Sequence, residues 1–260
     1  MSLKLIQLTD LHLLADPEAD FKGQQPWHNF LAILAEIEQS GWPDLFLLTG
    51  DLSQDESLES YERLYQTMQA TGVPWYWLPG NHDRVDLMQS LHPIEFLVLC
   101  KDWCFLLLNS QSGQPHGVLD QAQRVLIQQV LQQQRAKPIL VAVHHHPLLV
   151  GAGRLGELHH STQEGDDNIQ GIDQIPLRDS GWLWQTLSQQ PTVKLVLCGH
   201  VHQAQQVIRD GLTLLTTPAT SIQFKAAVND FELDEQKAGY RIIQLETDGG
   251  FFTEVKRLTA

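Results

Sequence analysis

The amino-acid sequence predicts an α/β fold whose second half takes on antiparallel, α+β character, and three observations carry this. Short apolar runs bounded by turn residues alternate with stretches of helical period in the first half. Strand patterns joined by Asp-Gly turns fill the C-terminal part, and 42% apolar side chains in 260 residues can bury a full core. Residues 1–260 are expected to form a single domain.

Leu3 to Thr9 alternates apolar and polar residues as a strand does. Trp27, Phe30, Leu31, Leu34 and Ile37 then recur at helical spacing until Ser40-Gly41-Trp42-Pro43 stops the run. Asp44 to Thr49 reads as a buried strand, Leu58, Tyr61, Tyr65 and Met68 as the next helical face, and Val73 to Leu78 as a third strand. Glu95 to Cys100 and Trp103 to Asn109 read as paired strands around Lys101-Asp102. Asp120 with Gln123 resembles a capping box opening a helix to about Gln134, and Ile139 to Val143 is another buried strand. Pro147 to Ser180 is rich in Gly, Asp, His and Gln without a sustained period, and is expected to be a long loop. A short helix near Trp182 to Leu187 precedes strands at Val193 to Cys198, Gln205 to Arg209, Leu212 to Thr216, Tyr240 to Glu246 and Phe252 to Arg257.

Seventeen basic against thirty-one acidic residues give a formal charge of -14, which argues against nucleic acid as a partner. An acidic protein acting on an anionic phosphate needs local positive charge, and bound metal ions are one way to supply it. Cys100, Cys104 and Cys198 form no C-x-x-C pair, so neither a disulfide framework nor a zinc ribbon is indicated and a reducing, cytoplasmic setting is expected. The N-terminus reads as a strand rather than a signal, and no apolar run approaches the roughly 20 residues that span a bilayer.

The chemistry-bearing residues fall just after the apolar strands, where α/β sheets open onto their crevice. The first strand ends Thr9-Asp10-Leu11-His12; residues two apart in extended chain point the same way, so Asp10 and His12 can reach one ion. Taken alone, that spacing is more often a turn aspartate beside a surface histidine. The second strand ends Gly50-Asp51, where glycine permits a sharp turn. The third ends Gly80-Asn81-His82-Asp83, an amide oxygen, an imidazole and a carboxylate on one turn; its plainer reading is an Asn-His turn whose aspartate caps a helix at Arg84. The fourth ends His144-His145-His146-Pro147, and buried imidazoles require hydrogen bonds or a metal, so one of the three is expected to be a ligand and the others packing. The fifth ends Gly199-His200-Val201-His202, a spacing suited to metal binding. Five clusters of similar chemistry at five strand ends rarely arise from core or surface needs alone. Carboxylate, imidazole and amide groups without thiolates suit manganese, iron or zinc, and their number fits two ions.

In this order Asp10-x-His12, Gly50-Asp51, Gly80-Asn81-His82-Asp83, His145-His146-Pro147 and Gly199-His200-x-His202 resemble the calcineurin-like metallophosphoesterases. Asn109-Ser110-Gln111, Pro115-His116-Gly117, the triple histidine, Leu197 to Gln203 and Thr217 to Lys225 make the chain similar, over most of its length, to the bacterial class III 3′,5′-cyclic AMP phosphodiesterases. The resemblance implies a four-layer αββα sandwich of two mixed β-sheets with helices outside. It implies that Asp10, His12, Asp51 and His202 hold one divalent ion and Asp51, Asn81, His145 and His200 the other, with Asp51 bridging. His145 is taken over His144 because the family's ligand stands two residues before the proline, here Pro147. His82 resembles the catalytic histidine, and Asp83 would orient or charge it.

The implied reaction is hydrolysis of 3′,5′-cyclic AMP, with other cyclic nucleotides admitted, to the 5′-nucleoside monophosphate by a hydroxide activated between two ions. Iron and manganese are the implied metals, with zinc also admitted, and a dimer is the expected oligomer if one forms. The 147–180 loop is expected to be longer than in the class III relatives, which bears on substrate range. The same two-metal core serves esterases of glycerophosphodiesters, nucleotides or phosphoproteins, so these stand as the alternative. A non-catalytic binding module should have lost ligands, and a regulatory metal-binding protein would not need His82.

Overall fold

Strand alternation sorts the side chains into layers. In β1 (Leu3–Leu8), Leu3 and Leu5 face one side and Ile6 and Leu8 the other, and both sides are buried. The computed structural model describes residues 2–151, 155–158, 171–226, 228 and 231–259. β1 runs parallel to β2 (Leu45–Thr49), and β2 parallel to β3 (Trp75–Leu78). On its other edge β1 pairs antiparallel with β12 (Gly239–Leu245), which pairs with β13 (Phe251–Arg257).

The second sheet contains β4 (Leu97–Cys100), β5 (Trp103–Leu108), β6 (Ile139–Val143), β7 (Val193–Cys198), β8 (Gln205–Arg209) and β9 (Leu212–Thr216). Its order is β4-β5-β6-β7-β9-β8, with β5 through β9 parallel in the middle and antiparallel pairs at both edges. β10 (Gln223–Phe224) and β11 (Leu233–Asp234) make a separate short ribbon.

Leu5, Leu47, Phe105, Leu107, Leu140 and Leu197 fill the space between the sheets. On the outer face of the first sheet, α1 (Pro26–Ser40) and α2 (Leu58–Ala70) bury Phe30, Ile33, Tyr61 and Leu64; α4 (Gln121–Gln133) and α5 (Ser180–Ser188) bury Ile127, Leu131, Leu183 and Trp184 on the second. The result is the expected αββα sandwich with two mixed sheets. α3 (Val85–Leu91) is legible in the sequence only as a helix capped at Arg84, without a period, because only Met88 of its seven residues is buried.

The cap of α4 is half of the expected box. Asp120 accepts the Gln123 N–H at 2.7 Å, but the Gln123 side chain turns to the Asn109 backbone, accepting its N–H and donating to its carbonyl, each at 2.7 Å. The helix start is thereby tied to the end of β5. Of the expected loop Pro147 to Ser180, residues 152–154 and 159–170 lie outside the described residues; the remainder holds a bridge between Leu148 and Leu158 and one 3-10 turn over Gly171–Gln174. Among the described residues no helix is long and apolar enough to cross a membrane.

A polar seam crosses between the sheets. Gln7 donates to Thr49 Oγ1 at 2.8 Å and accepts from Thr217 Oγ1 at 2.7 Å, while Arg241 donates to Thr217 Oγ1 at 3.1 Å and to the Thr216 carbonyl at 2.7 Å. Burial lowers the Arg241 guanidinium to about 10. Phe105 tests the apolar part of the same interface: it is fully buried, so Phe105→Ala is expected to cost about 3–5 kcal/mol. Guanidinium titration should show an earlier midpoint with an unchanged slope.

Candidate metal centre

Tight loops after β1, β2 and β3 meet those after β6 and β7. Glycine permits the approach: a Cβ on Gly50 would lie 2.5 Å from His144 Nδ1 and 2.7 Å from the Gly80 nitrogen, and one on Gly80 would collide with the Asp51 carboxylate and backbone. A Cβ on Gly199 would strike Thr9 Oγ1. The backbone is strained here, because Asp10, His12, Asp51, His200 and His202 all have φ between 47° and 66°, in the left-handed region. Such conformations cost on the order of 1–3 kcal/mol each and persist where the surroundings over-determine them.

The expectation that extended chain aims Asp10 and His12 together is therefore corrected. Their N–H groups donate to the Gly50 and Asp51 carbonyls at 3.0 and 2.9 Å, and the left-handed turns direct both side chains inward. Across the sheets, the His200 N–H donates to the Asp10 carboxylate at 3.0 Å; within the first sheet, the His82 N–H donates to Asp51 Oδ1 at 2.9 Å.

Four histidines share one arrangement. His144 Nδ1 donates to the Thr49 carbonyl at 2.8 Å, His200 Nε2 to the Ile175 carbonyl at 2.9 Å, and His202 Nδ1 to the Ile222 carbonyl at 2.8 Å; His12 Nδ1 lies 2.8 Å from Gln54 Oε1. A neutral imidazole has one N–H, so each inner nitrogen presents a lone pair. These inner nitrogens face one another: His12 Nε2 and His202 Nε2 are 3.3 Å apart, His144 Nε2 and His200 Nδ1 3.2 Å. Asp10 Oδ1 lies 3.3 Å from His202 Nε2. Asp51 sits between the pairs, with Oδ1 3.3 Å from His144 Nε2 and Oδ2 3.8 Å from His12 Nε2. Buried lone pairs and carboxylate oxygens this close repel unless positive charge lies among them. The buried Asn81 Oδ1 has no hydrogen-bond partner. The donor set fits divalent cations, and the four histidines are oriented from outside.

Burial and neighbouring charges pull the protonation of these groups in opposite directions. Burial pushes the His12 imidazole down to about 4 and holds His145 and His200 well below the usual histidine range. Burial also opposes protonation of His144, yet the Asp51 carboxylate, with Asp10 and the Thr49 carbonyl, outweighs it and raises the group to about 9, so a cation must displace a proton to meet the inner lone pair of this ring. Burial would raise Asp51, but His144 and its neighbours hold it well below the carboxylate range.

The structure brings together Asp10, His12, Asp51, Asn81, His82, His200 and His202, and it bears on two further placements. One ring nitrogen each of His144, His145 and His200 lies within 4.8 Å of the others, so proximity alone does not choose between the two neighbours. Hydrogen bonding does. Both His145 nitrogens are engaged, Nδ1 with Ser110 Oγ at 2.7 Å and Nε2 with the Pro115 carbonyl at 3.2 Å, whereas His144 keeps its inner lone pair against Asp51. Counting back from Pro147 points to His145, whereas the hydrogen bonds favour His144, because the strand's exit turn aims the rings.

The second placement is that of Asp83, expected to orient or charge His82. Its carboxylate accepts from the N–H groups of Leu52, Ser53 and Gly80 and from the Tyr61 hydroxyl at 3.0 Å, all of them away from the His82 ring. Burial, with Asp51 nearby, raises this carboxyl to about 6. Asp83 clamps the loop after β3 to the loop after β2. Sequence reasoning missed Tyr61 and Gln54, and it missed the Thr49, Ile175 and Ile222 carbonyls, which carry no signal because every residue has one.

A two-sheet sandwich that gathers carboxylates, imidazoles and an amide oxygen at its strand ends defines a metal-dependent hydrolase. The chain belongs to the calcineurin-like phosphoesterase family, which matches residues 3–204. It is 36% identical to a 3′,5′-cyclic adenosine monophosphate phosphodiesterase, CpdA, of Vibrio vulnificus, covering 100% of this chain and 91% of that protein. It is 34% identical to CpdA of Escherichia coli, covering 98% and 90%. A dimetal phosphatase from Danio rerio shares the fold with a TM-score of 0.62 at 12% identity, covering 96% of this chain and 98% of that one.

Gly80→Ala tests the close approach. The added methyl must displace Asp51, so manganese affinity measured by equilibrium dialysis is expected to fall about 10- to 100-fold. Gly181→Ala, where a Cβ meets open space, should leave it unchanged.

Proposed function

We propose that the chain hydrolyses 3′,5′-cyclic AMP, and related cyclic nucleotides, to the 5′-nucleoside monophosphate with two divalent ions, iron or manganese. The observation that carries this reading is Asp51, whose two carboxylate oxygens face the two histidine pairs. The near full-length similarity to proteins named cyclic AMP phosphodiesterases supports the substrate. Residues 1–260 are read as one domain, since β12, beyond the matched region, pairs with β1. Three free cysteines support a cytoplasmic setting.

In this reading Asp10, His12, Asp51 and His202 hold one ion, and Asp51, Asn81, His144 and His200 the other. Bound there, the ions neutralise phosphate charge and lower the pKa of water. Water attacks phosphorus in line with the 3′ oxygen of ribose, and the bond from phosphorus to that oxygen breaks. His82, whose ring lies 5.3 Å from that of His12 at the edge of the cluster, delivers a proton to the departing oxygen. Asp83 acts on His82 through the backbone, by fixing the turn that carries it.

Turnover of cyclic AMP, cyclic GMP, a glycerophosphodiester and phosphomonoesters, with manganese or iron added, tests the substrate. Cyclic nucleotides are expected to be cleaved most efficiently, and a glycerophosphodiester outrunning them would overturn the assignment. Asp51→Ala should lose both ions together by metal analysis. His144→Ala should deplete metal more than His145→Ala, and the reverse ranking would restore the proline-based register. His82→Ala should keep its metal and slow turnover about 10²- to 10⁴-fold.

A further inference from the structure

The cavity beside the metal-site residues has a volume of about 240 Å³ and two unlike sides. Its polar floor includes Asp51, Asn81 and His82; its opposite wall is built from Phe21, Phe224, Phe231 and Ile175. Phe224 stacks on His202 with ring centroids 4.4 Å apart, Phe231 meets Phe224 edge-on at 5.6 Å, and Phe21 stacks on His12 at 5.0 Å. Phe231 is 53% exposed, so the apolar part of the lining ends in a largely uncovered phenyl ring.

A tight hairpin supplies the remaining part. Phe21 and Gln24 exchange backbone hydrogen bonds at 2.8 and 3.1 Å across Lys22 and Gly23, whose φ values of 52° and 83° suit a two-residue turn. It holds the Lys22 ammonium 5.6 Å from the Phe21 ring and 5.7 Å from the Phe224 ring. Lys22 is the one lysine or arginine among the described residues lining this cavity.

We propose that Phe224 and Phe231, with the neighbouring Phe21 and Lys22, form a nucleobase subsite that recognises the face of a planar ring rather than its edge. This rests on the cyclic-nucleotide reading above. A phosphoryl group held at the floor directs its organic substituent toward the wall, where phenyl faces stack with any base. Edge recognition needs a paired donor and acceptor. Lys22 only donates, and the Gln54 carboxamide oxygen is engaged by His12. The subsite therefore separates substrates with a base from those without one, and it treats adenine and guanine alike.

The test compares manganese-loaded wild type, Phe231→Ala and Phe224→Leu on cyclic AMP, cyclic GMP and base-free ribose 3,5-cyclic phosphate. Removing the base should raise KM about 5- to 100-fold, while the two nucleotides should differ by less than about tenfold. Both variants should lower the preference for cyclic AMP over the base-free compound, Phe231→Ala at full metal content because its ring touches Phe224 rather than a histidine. An undiminished preference in both variants, or equal KM values with and without the base, overturns the subsite. Calorimetric binding of 5′-AMP against ribose 5-phosphate reads the same subsite without turnover, and equal affinities overturn it. Preferential AMP binding in a protein that cleaves no cyclic nucleotide would support the subsite and reject the reaction.

Discussion

When His144 donates its Nδ1–H to the Thr49 carbonyl, its Nε2 lone pair is left facing Asp51 and the inner nitrogen of His200. The same commitment holds His200 through Ile175 and His202 through Ile222. Each bond fixes a tautomer and a ring orientation together. Lone pairs that would repel in an empty, buried space are thereby aimed at common points, and the site's demand for cations follows from that.

The sandwich makes this convergence possible. Its first sheet supplies the loops carrying Asp10, Asp51 and Asn81, its second those carrying His144 and His200, and the Asp10 carboxylate joins them by accepting the His200 N–H. Leucine and phenylalanine fill the space between the sheets, but the polar seam of Gln7, Thr217 and Arg241 adds directional bonds that apolar packing lacks. Gly50, Gly80 and Gly199 let the loops approach, and the Asp83 carboxylate locks two of them. The left-handed backbone at five site residues is held by this cross-bracing, so local strain and overall packing are coupled.

In a chain of net charge -14, a site for an anionic substrate depends on cations that the buried cluster could bind. Lys22 stands apart from that cluster, over phenyl rings instead of beside a carboxylate. The functional cleft thus separates a centre for the phosphate from an apolar wall suited to the group attached to it.

Much of this was legible in the chain itself, because apolar period and turn composition are local properties. The strands that frame the sandwich appear at β1, β2, β5, β6 and β7, and the Asp, His and Asn residues that gather at the site appear directly after β1, β2, β3, β6 and β7. α3, β10 and β11 are too short to show a period.

By itself, the sequence determined the layered architecture, the kind of chemistry and nearly all of the residues that converge. The tertiary structure alone decided that His144 rather than His145 faces Asp51, that Asp83 braces loops instead of charging His82, and that Phe21 and Phe224 come to flank one cavity. The reason is physical: ring orientation depends on carbonyls and side chains brought in from distant segments, and no spacing along the chain encodes which way an imidazole turns.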